Sequence, residues 1–200
     1  MLFYVQMKTP KGFLIISFCI IGSVSIAQKI DTEILYSTIS TDNNIICYTP
    51  NNKLAIDDFK GTPVENSVAI AITSSGISFK AGFKKSGSKA TLIMTVSCNF
   101  DKNLSWMKQH GKNEYILGHE QHHFDITYLS ALAFIKKLKR ANFTISNYQD
   151  KLKTLYTTTM QEMEQLQHQY DGETQNGQLK EEQHDWNKKI DERLVEITVK

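Results

Sequence analysis

Near the middle of the 200-residue sequence stands His119-Glu120-Gln121-His122-His123, an H-E-x-x-H pattern. On an α-helix, positions four apart lie about 40° apart around the axis and one turn along it. His119 and His123 therefore present imidazole nitrogens to a common point, as a tetrahedral zinc ion requires. Glu120 sits beside the first imidazole but is turned from it, so it reaches a water on the metal rather than the metal. There it is placed to take that water's proton and pass it to a leaving group. His122 lies about 100° from His123 around the helix and is read as a bystander. Asp125, about 200° beyond His123, points away from the same metal and is read as a supporting polar contact. A surface turn with adventitious metal affinity is the plainer alternative. The apolar flanks, Ile116, Phe124, Ile126 and Leu129, count against it, because imidazoles and a carboxylate on a buried helix need partners.

A third protein ligand is harder to find. The metzincin pattern places a histidine six residues after His123. That position is Leu129, which excludes the type. A thermolysin-like glutamate on the next helix is missing as well: Phe143 to Tyr148 holds no acid, and Asp150 is marginal. Tyr170-Asp171-Gly172-Glu173-Thr174-Gln175-Asn176-Gly177 stands out instead. Asp171 is the leading candidate and Glu173 the next, with a purely helix-terminating role for Asp171 as the alternative.

These residues need a scaffold. From about Lys29 to Phe100 the pattern is one of short strands: Ile45 to Tyr48, Ser67 to Ile72, Ile77 to Ala81 and Ala90 to Val96. Their spacing suits antiparallel hairpins. From about Lys112 the pattern turns helical. One helix runs through the motif to about Lys139. A second is capped near Ser146 or Asn147 and carries a stripe from Tyr148 through Leu152, Leu155, Met163 and Leu166 to Tyr170. It is expected to end at Gly172. A third, more polar helix spans about Leu179 to Leu194, with Trp186 and Ile190 as its buried contacts. The class is α+β, an N-terminal antiparallel sheet followed by a helical half.

Residues 1–27 read as a secretion signal. Lys8 and Lys11 precede a 14-residue apolar run from Phe13 to Ile26, and Ser25-Ile26-Ala27 offers a cleavage site. A retained N-terminal anchor is the alternative. Losing Lys8 and Lys11 takes the 23 bases to 21, matching the 21 acids. A neutral surface gives no electrostatic reason to expect nucleic acid or an anionic membrane as partner. Cys47 and Cys98 remain after cleavage. In an exported compartment they either form a bridge, stabilising by roughly 3–5 kcal/mol, or stay as two buried thiols.

Four segments, Ile56 to Pro63, Ser105 to Lys108, His119 to Ile126 and Tyr170 to Gly177, resemble a bacterial domain family of unknown function described as predicted secreted zinc-dependent proteases. Gln183 and Trp186 also fit its C-terminal pattern. The resemblance implies that Asp58-Phe59 and Trp106 matter to the fold, and that Tyr170-Asp171 and Thr174 border the site. There is one departure: members often carry a histidine before the glycine, where this chain has Asn176. The combined expectation is a single zincin-like domain over residues 28–200, periplasmic or extracellular and free of the membrane after cleavage. It would hydrolyse a protein or peptide with Zn2+ on His119, His123 and Asp171 and with Glu120 as base. A zinc hydrolase acting on another amide, such as cell-wall material, fits the same residues. A catalytically inactive envelope protein that keeps the scaffold for metal or partner binding is the alternative from another class.

Overall fold

The computed structural model describes residues 29–86 and 89–198. The signal sequence expected over residues 1–27 lies outside them. Six strands precede three helices in this region: β1 (Asp31–Tyr36), β2 (Ile45–Cys47), β3 (Ala71–Ile72), β4 (Ser75–Ser86), β5 (Lys89–Asp101), β6 (Trp106–Met107), α1 (Glu114–Arg140), α2 (Tyr148–Thr174) and α3 (Lys180–Thr198). The class is α+β, as the periodicities predict.

The sheet is organised by β5. Its residues Leu92, Met94, Val96, Cys98 and Phe100 are all fully buried, and the residues between them are not. That period of two buries one face against the helices. β4 pairs antiparallel with β5 along its length, from Ser75 opposite Phe100 to Ser86 opposite Lys89. The other edge of β5 is shared by β2, which is antiparallel, and β1, which is parallel. The sheet is therefore mixed rather than wholly antiparallel. Strand direction comes from a long-range pairing that local patterning does not encode.

α1 lies across this face. Its N-terminus is capped by Asn113, whose side chain accepts from the Ile116 amide at 3.0 Å. Lys137, Lys139 and Arg140 sit at the negative end of its dipole. Phe124, Ala131, Phe134 and Leu138 pack towards the sheet and α2 in the main core. Ile126 and Leu129 pack with Tyr170 of α2 and with Trp186 and Ile190 of α3 in a second cluster. Burial of the helix on several sides is as its composition predicts, and so are the two α3 contacts.

Two local expectations differ from the structure. Only Ala71 and Ile72 of the Ser67 to Ile72 run form a strand. The buried Lys108 ammonium donates to the carbonyls of Glu65 and Ser67 at 3.0 and 2.7 Å, which takes those backbone acceptors away from a ladder. α2 continues past Gly172 to Thr174, and the left-handed residues are Gln175, Asn176 and Gly177, with φ of 48°, 54° and 78°. The segments carrying the family resemblance have structural work. Asp58 accepts from the Ala55 amide at 2.9 Å and pairs with Lys102 at 3.1 Å. Phe59 meets Phe100 edge-on, and Trp106 pairs with Ile72. At Gly61 any β-carbon would stand 2.7 Å from the Asn103 carbonyl, so the chain passes there only as glycine.

Cys47 and Cys98 are both free and buried. Burial pushes both thiols above their ordinary pKa, that of Cys98 strongly. A thiol-reactive disulfide reagent at neutral pH is therefore expected to label neither in the folded protein and both after unfolding without reductant. Peptide mass spectrometry reads the result, and persistent protection of both after unfolding would reveal a bridge.

Candidate metal-ligating and catalytic site

His119 and His123 face the same side of α1, one turn apart. Asp171, in the last turn of α2, reaches both. Its Oδ1 lies 3.3 Å from His119 Nε2 and 2.9 Å from His123 Nε2, and the two Nε2 atoms are 3.2 Å from each other. Four ligands around zinc at bond lengths near 2.05 Å stand about 3.3 Å apart, so this triangle has the dimensions of one face of a tetrahedron.

The orientation of each imidazole is set from behind. His119 Nδ1–H donates to Gln183 Oε1 at 2.8 Å, and His123 Nδ1–H donates to Gln167 Oε1 at 2.5 Å. Each glutamine amide is anchored in turn. Gln167 donates to the His123 carbonyl and to Thr127, and Gln183 donates to Tyr170 and Asn187. With the protons on Nδ1, both Nε2 atoms carry lone pairs directed at one another and at a carboxylate oxygen that has no hydrogen-bond donor. Three electron-rich atoms so arranged repel unless a cation lies among them. The donor set thus fits a divalent cation of the zinc class, with His119, His123 and Asp171 to hold it.

Tyr170 forms the floor. Its ring stacks on His119 with centroids 4.7 Å apart and meets His123 edge-on at 4.9 Å. Its hydroxyl donates to the His119 carbonyl at 3.3 Å and accepts from Gln183 at 2.6 Å. His119, Gln183 and Tyr170 therefore close a ring of hydrogen bonds in a buried setting. Gly177 packs against His119, where a β-carbon would lie 3.2 Å from Nδ1, and its carbonyl accepts from the Tyr115 hydroxyl at 2.6 Å. Thr174 joins the wall by donating to the Tyr170 carbonyl and accepting from the Gly177 amide. Burial disfavours the ionised form of Asp171, but when protons rather than a cation occupy the triangle, the Nε2–H groups of His119 and His123 outweigh burial and hold the carboxyl well below the usual carboxylate range.

Glu120 is 4% exposed, and its Oε2 has no hydrogen-bond partner. It borders the same cleft as His119, His123 and Asp171, a space of about 640 Å³. The opposite wall is the chain from Ala69 to Thr73, and Thr73 is tied to α1 by its hydroxyl on the Glu120 carbonyl at 3.1 Å. Asn176 also lines the cleft. Glu173, the other acid considered as a ligand, is exposed and accepts from Trp186 Nε1 and Gln169 instead. Asp125 faces away from the triangle and accepts from Tyr48 and Gln121. His122 is also off it, donating from Nδ1 to the Gly118 carbonyl. Sequence reasoning missed Gln167 and the orienting role of Gln183. The available signal was that Gln167 lies one turn before Asp171, on the face that carries Met163 and Tyr170.

The closed ring behind His119 makes a measurable coupling. Gln183→Met leaves the His119 Nδ1–H without an acceptor and the Tyr170 hydroxyl without a donor. It is expected to lower the stability of chelator-treated protein by roughly 1–3 kcal/mol in urea unfolding. Tyr170→Phe should cost less in that background than alone. Strict additivity of the two would show that the ring is not a unit.

Neither a curated protein nor a solved structure matches the chain. Residues 110–178, which contain both imidazoles, Glu120 and Asp171, are similar to a bacterial family of proteins of unknown function, DUF922.

Proposed function

We propose that the protein is an exported zinc-dependent hydrolase that cleaves peptide bonds. The observation that carries this reading is the convergence of His119 Nε2, His123 Nε2 and Asp171 Oδ1 beside the unpartnered carboxylate oxygen of Glu120, all on one cleft. Zinc, when bound, supplies Lewis acidity that polarises a carbonyl and brings the pKa of a ligated water to about 7. The chain supplies the rest. Glu120 accepts the proton of the attacking water as its oxygen bonds to the scissile carbonyl carbon. It then delivers that proton to the amine nitrogen as the C–N bond breaks. Gln167 and Gln183 keep the imidazoles aimed, so little reorganisation is needed during the reaction.

One feature favours an extended peptide as substrate. β3, in the wall of the cleft, has β6 as its only strand neighbour among the described residues, and an unpaired strand edge accepts an extended chain. A second reading, a scaffold that binds metal or a partner without turnover, is favoured by Asn176. A carboxamide stands in the cleft wall where members of the family the chain resembles often carry an imidazole.

One experiment separates these. Purified protein is assayed for bound zinc and for cleavage of a fluorescently labelled unfolded protein. Glu120→Gln is expected to retain zinc and to lose turnover by a factor of about 10²–10⁴. Zinc with no cleavage by the unaltered protein would support the scaffold reading. Folded protein that takes up no zinc through His119 and His123 would overturn the hydrolase and leave partner binding as the scaffold's role.

A further inference from the structure

A second group of donors sits on α1, about 110° around the axis from the His119–His123 face. The geometry points to a second divalent-cation site, formed by His122 and Asp125 of α1 and Asp191 of α3. His122 Nε2, one Asp125 oxygen and one Asp191 oxygen all lie within 4.8 Å of one another, and His122 Nε2 is 3.6 Å from Asp191 Oδ1.

Two buried atoms in this group lack hydrogen-bond partners. His122 is 9% exposed and donates its Nδ1–H to the Gly118 carbonyl at 2.7 Å, which leaves the lone pair on Nε2. That Nε2 has no hydrogen-bond partner. Asp125 is fully buried. Its Oδ1 accepts from Tyr48 at 2.7 Å and Gln121 at 2.8 Å, while Oδ2 accepts from nothing. Lys53 Nζ approaches Oδ2 only to 3.6 Å, beyond hydrogen-bond distance and from a side chain that is 55% exposed and free to withdraw. An imidazole nitrogen oriented by a carbonyl, together with two carboxylates, is a donor set for zinc, manganese or cobalt.

The location gives the ion a structural role. α3 meets the rest of the protein largely through Trp186 and Ile190, and it also carries Gln183, which orients His119. Asp191 lies eight residues beyond Gln183, about two turns along the same helix. An ion bridging it to His122 and Asp125 would pin α3 to α1 on the far side of that apolar contact. This site does not depend on the hydrolase reading, because it shares no donor with the other triangle.

The test is metal stoichiometry. Purified protein is dialysed against buffered free zinc, and zinc per chain is measured by mass spectrometry with circular dichroism as the control for folding. Two equivalents are expected. Asp191→Ala, a change at an exposed position, should bring the count to one, and so should His119→Ala by removing the other ion. His122→Phe should match Asp191→Ala, and Asp191→Ala decides alone if His122→Phe does not fold. A count that Asp191→Ala leaves unchanged would overturn the second site, whatever His119→Ala does. One equivalent that is lost in Asp191→Ala and kept in His119→Ala would establish the second site and overturn the hydrolase reading.

Discussion

Two imidazole nitrogens held 3.2 Å apart, with a carboxylate oxygen against both, form an arrangement that a protein does not reach by default. Each imidazole would gain by turning towards a donor or towards water. Both are prevented by what lies behind them: a glutamine on each Nδ1, and a tyrosine ring against both. The packing around α1 can be understood as the support for that constraint. The three helices hold their relative positions because Tyr170, Trp186, Ile190, Ile126 and Leu129 form one apolar cluster directly beneath the site.

The sheet contributes at a distance. β5 buries every second side chain, and the surface so formed gives α1 a flat bed from Phe124 to Leu138. Aromatic contacts join the layers: Phe79 of β4 meets both Phe134 of α1 and Tyr156 of α2. The loop after β2 reaches the back of the motif helix, where Tyr48 holds Asp125 and the Leu54 amide donates to Gln121 at 2.8 Å. The motif turn is therefore gripped by polar contacts on the side away from the cleft as well as on the side facing it.

Much of this was legible in the sequence because helices repeat at a short period. A spacing of four aligns His119 with His123, and the stripe ending at Tyr170 puts Asp171 at the end of a helix packed against the first. What escaped was information of other kinds. Gly172 looked like a terminator by residue type, yet α2 runs through it, because Thr174 and the Asp171 carbonyl hold the turn further on. The run from Ser67 to Ile72 is short and apolar as a buried strand is, but no local pattern shows that Lys108, some forty residues later, captures the Ser67 carbonyl. The parallel course of β1 and the roles of Gln167 and Gln183 depend on partners far apart in sequence. Helical spacing places a glutamine on a face but does not say which side chain it will meet there.

The left-handed turn after α2 has a consequence for how the cleft can evolve. Gln175 and Asn176 hold a backbone conformation that costs a side-chain-bearing residue about 1–2 kcal/mol each. The turn is kept by contacts that do not involve the side chain at 176: the Asn176 amide on the Asp171 carbonyl, Thr174 on the Gly177 amide, and Tyr115 on the Gly177 carbonyl. Backbone and side chain are thus uncoupled at this position. The main chain admits the few residue types that tolerate positive φ, with asparagine, aspartate and histidine foremost after glycine. Each would bring a different donor or charge to the wall of the same cleft. Position 176 can in this way exchange an amide for an acid or an imidazole while the loop keeps its course.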